Sequence, residues 1–192
     1  MLESMQENQA TVEGTSFALP KPFMLMATMN PLEYEGVYPL PEAQMDRFMI
    51  KINLTYPKKD EEIKMLKKKC EGSFESVTPV ISKEELDNAF LDVLNVKVSD
   101  EIYEYIYEIV KMTRIDERLL YGVSPRASEQ LLNAARAYSY LNGRNYVIPD
   151  DIKKIAAYTL SHKVKLKIDY ELDNITSKDV ILDILDKTAV IN

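Results

Sequence analysis

The chain has 192 residues, 46% hydrophobic and 29% charged, with a formal net charge of −7. That length suits one ordinary domain or two small ones, and the acidic balance argues against a nucleic-acid partner, because such binding rests on Lys and Arg neutralising phosphates. Cys70 is the only cysteine and His162 the only histidine, which excludes an internal disulfide and speaks against a His/Cys metal site.

No apolar run approaches the ~20 residues that span a bilayer, and no Lys or Arg precedes Lys21 as a secretory leader would require. A cytoplasmic protein without a membrane partner is the expectation. The Lys-rich stretches Lys64–Lys69 and Lys163–Lys167 read as solvated faces rather than as a polyanion site.

Met1 to Asn8 reads as the end of a helix, with Leu2 and Met5 at helical spacing. Gln9 to Leu19 carries short β-prone runs around Glu13-Gly14, a hairpin signal. Phe23 to Thr28 is a continuous apolar run, which predicts a strand buried on both faces. Met49 to Leu54 is a second strand candidate. Between them lies a loop with Pro31, Gly36, Pro39 and Pro41, closed by a helical turn over Glu42 to Asp46.

Beyond Tyr56-Pro57 the helical period dominates. Asp60 to Cys70 predicts a helix with Gly72 at its C-terminal cap. Ser82 with Glu85 forms a capping box. Ser99 would cap a helix whose one face shows Ile102, Tyr105, Ile106, Ile109, Val110 and Thr113. The tyrosines Tyr103, Tyr105 and Tyr107 are therefore split between core and surface. Ser124-Pro125 opens a further helix, Ser as cap and Pro at the first position, striped by Leu131, Ala135 and Tyr138 and closed by Gly143. Pro149 starts the next, to about Ser161. Ile148 holds its cap position, which weakens that start by ~1 kcal/mol. Val164 to Ile168 alternates apolar residues with Lys, as in an exposed strand or an extended arm, and Thr176 caps a last helix striped by Val180, Ile181, Ile184 and Leu185. The residues thus describe a β-containing piece of about 55 residues followed by an all-helical domain.

The stretch Pro22-Phe23 through Ala27-Thr28-Met29-Asn30-Pro31 to Pro39-Leu40-Pro41-Glu42-Ala43-Gln44-Met45-Asp46-Arg47-Phe48 resembles the MoxR family of AAA+ ATPases at nearly every fixed position, with Met29 where that family carries Gln. Gly122-Val123-Ser124-Pro125-Arg126-Ala127 and Gly143-Arg144-Asn145-Tyr146-Val147-Ile148-Pro149-Asp150-Asp151-Ile152 match it as well. The resemblance covers essentially the whole chain. It implies an α/β remnant plus an all-α part: a partial AAA+ P-loop ATPase core over 1–56 and a complete helical-bundle lid over 57–192. No G-x-x-x-x-G-K-[ST] phosphate loop occurs in the sequence, so the chain is expected to begin after both Walker motifs.

The resemblance assigns roles to three residues. Asn30 would be sensor 1, orienting the attacking water or touching the γ-phosphate; local chemistry alone reads it as an Asn-Pro turn. Arg47 would be an arginine finger serving a neighbouring subunit; alone it reads as half of an Asp46/Arg47 surface pair. Arg126 would be sensor 2, touching the phosphates of its own subunit. It sits unfavourably at the positive end of a helix dipole, which fits an anion partner. Glu33, Glu35 and Tyr38 become loop-ordering or interface residues. The hairpin resembles the pre-sensor-1 hairpin, where Phe17 would either touch a client or pack beneath. Arg144 reads as structural, bonding free carbonyls at the helix end, and His162 as a helix-end residue favourable to the dipole rather than a catalyst.

The expected function is that of a MoxR-type ATPase which, when full length, uses ATP and Mg²⁺ in a homo-oligomeric ring, hexameric by the resemblance, to remodel or mature partner proteins, with von Willebrand A domain proteins as typical partners. No tightly bound cofactor and no metal are expected on this chain, which is expected to be inactive alone. The alternative is a non-catalytic helical interaction module derived from such an ATPase. Loss of sheet partners predicts that 1–55 is poorly ordered, rearranged or paired through open edges.

Overall fold

The computed structural model describes residues 2–29, 40–72 and 77–190. Among these the chain begins with α1 (Leu2–Glu7), β1 (Gln9–Val12), β2 (Thr15–Ala18), α2 (Glu42–Met45) and α3 (Lys59–Glu71). It continues through α4 (Lys83–Leu94), α5 (Asp100–Ile115), β3 (Leu119–Tyr121), α6 (Pro125–Leu141), α7 (Pro149–Leu160), β4 (Lys165–Leu166), α8 (Ile168–Leu172) and α9 (Ser177–Lys187).

The hairpin forms where the turn signal predicts. β1 pairs antiparallel with β2, Val12 opposite Thr15, across Glu13 and Gly14 at φ 50° and 81°. Two consecutive residues at positive φ follow the twist of antiparallel strands, and Gly tolerates that conformation without strain. Phe17 is 56% exposed, so it does not pack beneath the hairpin.

The two predicted buried strands are not formed. Phe23–Met29 and Met49–Leu54 carry no ladder, and Met24 and Met26 are 76% and 79% exposed. A strand exists only through its neighbours' hydrogen bonds, and no described strand pairs with either one. Lys51 N–H donates instead to Tyr158 O of α7 at 3.0 Å. Helix α3 forms with its apolar residues on the surface: Ile63, Met65 and Leu66 are all exposed, so its stability rests on local terms. Those include Glu61 accepting from Lys58 N at 2.9 Å and Gly72 in the left-handed C-cap.

The core lies in the helical domain. All six residues predicted for the inner face of α5 are buried, and they meet Leu131 and Ala135 of α6, Ile152, Ala156 and Leu160 of α7, and the Val180/Ile181/Ile184/Leu185 stripe of α9. Each large aliphatic side chain removed from water contributes about 1.5–3 kcal/mol. Ser82 and Glu85 close a reciprocal box, Glu85 N–H donating to Ser82 Oγ at 3.1 Å and Ser82 N–H to Glu85 at 2.7 Å. Thr176 and Asp179 do the same for α9. Ser99 occupies its predicted place, yet its side chain makes no capping bond.

Val164–Ile168 differs from the exposed strand expected. Its β4 portion pairs antiparallel with β3, and Val164 and Leu166 are buried, because α7 delivers the segment into the groove beside β3. The uncapped start of α7 is supported from the side. Asp151 accepts the Ile148 N–H at 2.9 Å and holds Arg144 through both carboxylate oxygens. The structural role read for Arg144 is thus visible, although its main partner is a carboxylate rather than a carbonyl.

Candidate functional site

Helix α6 sets the site. Pro125 fixes φ at the first position, and Ser124 caps the helix by accepting Ala127 N–H at 3.4 Å. This places Arg126 in the first turn and Gln130 one turn later on the same face. Against that face lies the turn that ends α2, Asp46-Arg47-Phe48.

The two pieces are joined at every residue of the turn. The Asp46 carboxylate accepts from Ser124 Oγ at 3.0 Å, and Arg126 Nη1 lies 3.5 Å from it. Asp46 O accepts from Lys163 Nζ at 2.8 Å, Arg47 O from Gln130 Nε2 at 3.1 Å, and Phe48 O from Lys163 Nζ at 2.7 Å. Gln130 Oε1 takes a further Lys163 proton. His162 Nε2 lies 2.9 Å from Phe48 O; a carbonyl only accepts, so that nitrogen carries the proton. At the rim, Lys165 Nζ donates to Glu42 at 2.8 Å. An open cleft of about 430 Å³ runs beside the contact, lined in part by Met45, Asp46, Tyr121, Ser124, His162 and Lys163.

Lys163 corrects the solvated-face reading: it is 6% exposed. Burial pushes its ammonium down to about 8; Asp46 opposes that and Arg126 adds to it. His162 is corrected too. It is not a solvated helix-end cation but a partly buried ring, and burial lowers its affinity for a proton, with Lys163 and Lys51 nearby, against the support of Phe48 O and Asp46. At the rim, burial and then Glu42 push the Tyr121 hydroxyl up, while Lys165 first and then Tyr121 hold Glu42 down.

Of the three residues singled out in sequence, two come into one neighbourhood. Arg47 is half-buried with its carbonyl held by Gln130. Arg126 has a side chain 47% exposed, with Asp46 as partner. Asn30, like Glu33, Glu35 and Tyr38, lies outside the described residues. Sequence reasoning missed Lys163, Gln130 and the role of Asp46. Among the described residues no group of three or more His, Cys, Asp or Glu side chains stands together as a metal would need, and no helix is long and apolar enough to cross a membrane. Arg126 itself, half-exposed at a helix start, suits an anion.

Residues 1–50 match the model of the ATPase family associated with various cellular activities (AAA), and residues 111–184 that of the AAA lid domain. The chain is 37% identical over 206 residues to the chaperone MoxR1 of Mycobacterium tuberculosis, covering 99% of this chain and 52% of that protein. It is 43% identical over 191 residues to the uncharacterized protein YeaC of Bacillus subtilis, covering 99% of this chain and 60% of that one. The chain belongs to the MoxR family of AAA+ ATPases. A crystal structure of a candidate ATPase from Cytophaga hutchinsonii matches the whole chain with a TM-score of 0.93 at 37% identity, this chain covering 61% of that one. The MoxR-family chain therefore spans little more than half the length of the curated relatives it matches, and its architecture is part of an AAA+ core followed by a helical lid.

Proposed function

We propose that this chain is the sensing portion of a MoxR-type ATPase, dividing into a core part over 1–56 and a lid over 57–192. In this reading the full-length protein works as a ring, hexameric and in the cytoplasm, and couples ATP hydrolysis to remodelling or maturation of partner proteins, von Willebrand A domain proteins among them. Asn30 serves as sensor 1, Arg47 as the finger directed at a neighbour's nucleotide and Arg126 as sensor 2. ATP with Mg²⁺ supplies the reactive phosphoanhydride and its charge neutralisation.

The observation that carries the reading is the joining of Arg126 to the Arg47 turn through Asp46, in a chain of this family. Arg126 fits the phosphate role because its guanidinium is half-exposed at the start of α6 and its contact with Asp46 is long, at 3.5 Å, an exposed pair worth about 0–1 kcal/mol and readily exchanged for a phosphate. Mg²⁺ and the phosphate cradle would be held by other residues of the full-length protein. This chain alone is accordingly proposed not to hydrolyse ATP.

The test compares Arg47→Ala and Arg126→Ala in the full-length protein. Arg47→Ala is expected to lower kcat by about 10³–10⁵ while leaving nucleotide affinity near its original value; Arg126→Ala is expected to weaken nucleotide binding as well. An Arg47→Ala protein within tenfold of the original kcat would reject the finger assignment. A phosphate-release assay on the 192-residue chain showing turnover that disappears in Arg126→Ala would reject its inactivity.

A further inference from the structure

We propose that Lys163 and Gln130 are positioning residues that fasten the Arg47 turn to the helical lid, so that the direction in which Arg47 leaves its own subunit follows the orientation of that lid. The functional half of this statement rests on Arg47 being the finger; the fastening does not.

Three consecutive carbonyls, those of Asp46, Arg47 and Phe48, are all taken by side chains of the lid. Two of those bonds come from one ammonium, and its third acceptor is the amide oxygen of Gln130, whose nitrogen holds the carbonyl in between. Lysine has three donors, and here three acceptors converge on them. A buried ammonium is costly unless each proton is met, and an apolar side chain would fill this space at lower cost. What the ammonium adds is geometry. It fixes two carbonyls two residues apart, and with them the backbone of the residue between. A planar guanidinium cannot converge its donors on one point in this way.

The same turn is held by its side chain. Asp46, next to Arg47, accepts from Ser124 and pairs with Arg126. The group proposed to read the nucleotide of its own subunit and the group proposed to act on the neighbour's are thus separated by one carboxylate and one peptide. Lys51 N–H on Tyr158 O and Lys165 on Glu42 secure the flanks. A lid that shifts on closing over its own nucleotide would carry the turn with it.

The test reads backbone carbonyl ¹³C shifts of Asp46, Arg47 and Phe48 in this 192-residue chain, together with amide exchange of residues 44–48. Lys163→Met is expected to move the Asp46 carbonyl most and to accelerate exchange across 44–48 at least about tenfold, with amides of α5 and α9 still protected. Gln130→Leu is expected to move the Arg47 carbonyl first. If Lys163→Met does not fold, Gln130→Leu decides by that shift alone. Carbonyl shifts and 44–48 exchange that do not respond in a folded variant overturn the fastening. Carbonyls that respond, in a protein whose Arg47→Ala form keeps its kcat, reject the finger reading and leave the fastening standing.

Discussion

Asp151 is 2% exposed and ion-paired with Arg144, whose side chain remains partly open to water. Removing the cation leaves a buried carboxylate that, among the described residues, keeps the Ile148 N–H as its hydrogen-bond donor, and an uncompensated buried charge is destabilising. Arg144→Met should therefore lower the urea midpoint more than the loss of an arginine with no buried partner. His162 predicts a pH effect. Its folded affinity for a proton lies below the ordinary 6.5, so between the two values the unfolded chain holds more protons, and stability falls as pH falls through that window. Urea midpoints measured between pH 7 and pH 5 should decline more in the wild type than in His162→Gln; equal declines would place the acid sensitivity elsewhere. Sequence pattern could not find Lys163. The alternation Val164-Lys165-Leu166-Lys167 assigns odd positions to solvent, but the chain is still turning after α7 at residue 163, so that parity does not yet hold. Gln130 carried a signal, standing four residues after Arg126 on the same helical face.

At the scale of elements, two substitutions separate local from tertiary terms. Thr176→Ala removes the oxygen that accepts Asp179 N–H at 3.2 Å and should cost about 1 kcal/mol, seen as a shift in denaturant midpoint with no change in slope. Gly122→Ala should cost more, about 1–3 kcal/mol, because a Cβ there would stand 2.5 Å from Thr113 O of α5, backbone that cannot step aside. Most helices were legible in sequence because capping residues and the 3.6 period act within a few turns, as with Ser82/Glu85 and the inner face of α5. The strands predicted over Phe23–Thr28 and Met49–Leu54 were not realised. Their apolar composition reports what such a run is suited to pack against, whereas a ladder requires a neighbouring strand. The turn contact of Asp46–Phe48 was illegible for a related reason: it joins residues more than 80 positions apart through backbone carbonyls, which leave no mark in composition.

For the whole molecule, the solved candidate ATPase matches this chain over its full length at a TM-score of 0.93, so the same overall fold recurs in a chain of greater length. The central claim is that Arg47 acts across a subunit boundary while Arg126 acts within one. Mixed rings of the full-length protein test it directly. One subunit would carry Arg47→Ala with an intact nucleotide site, and the other an intact Arg47 with its own phosphate-loop lysine substituted. Each variant alone should lose hydrolysis by orders of magnitude. Mixing them should restore turnover, because an intact site then faces an intact arginine. Mixed rings, shown to have formed, that remain as inactive as either parent would contradict the account.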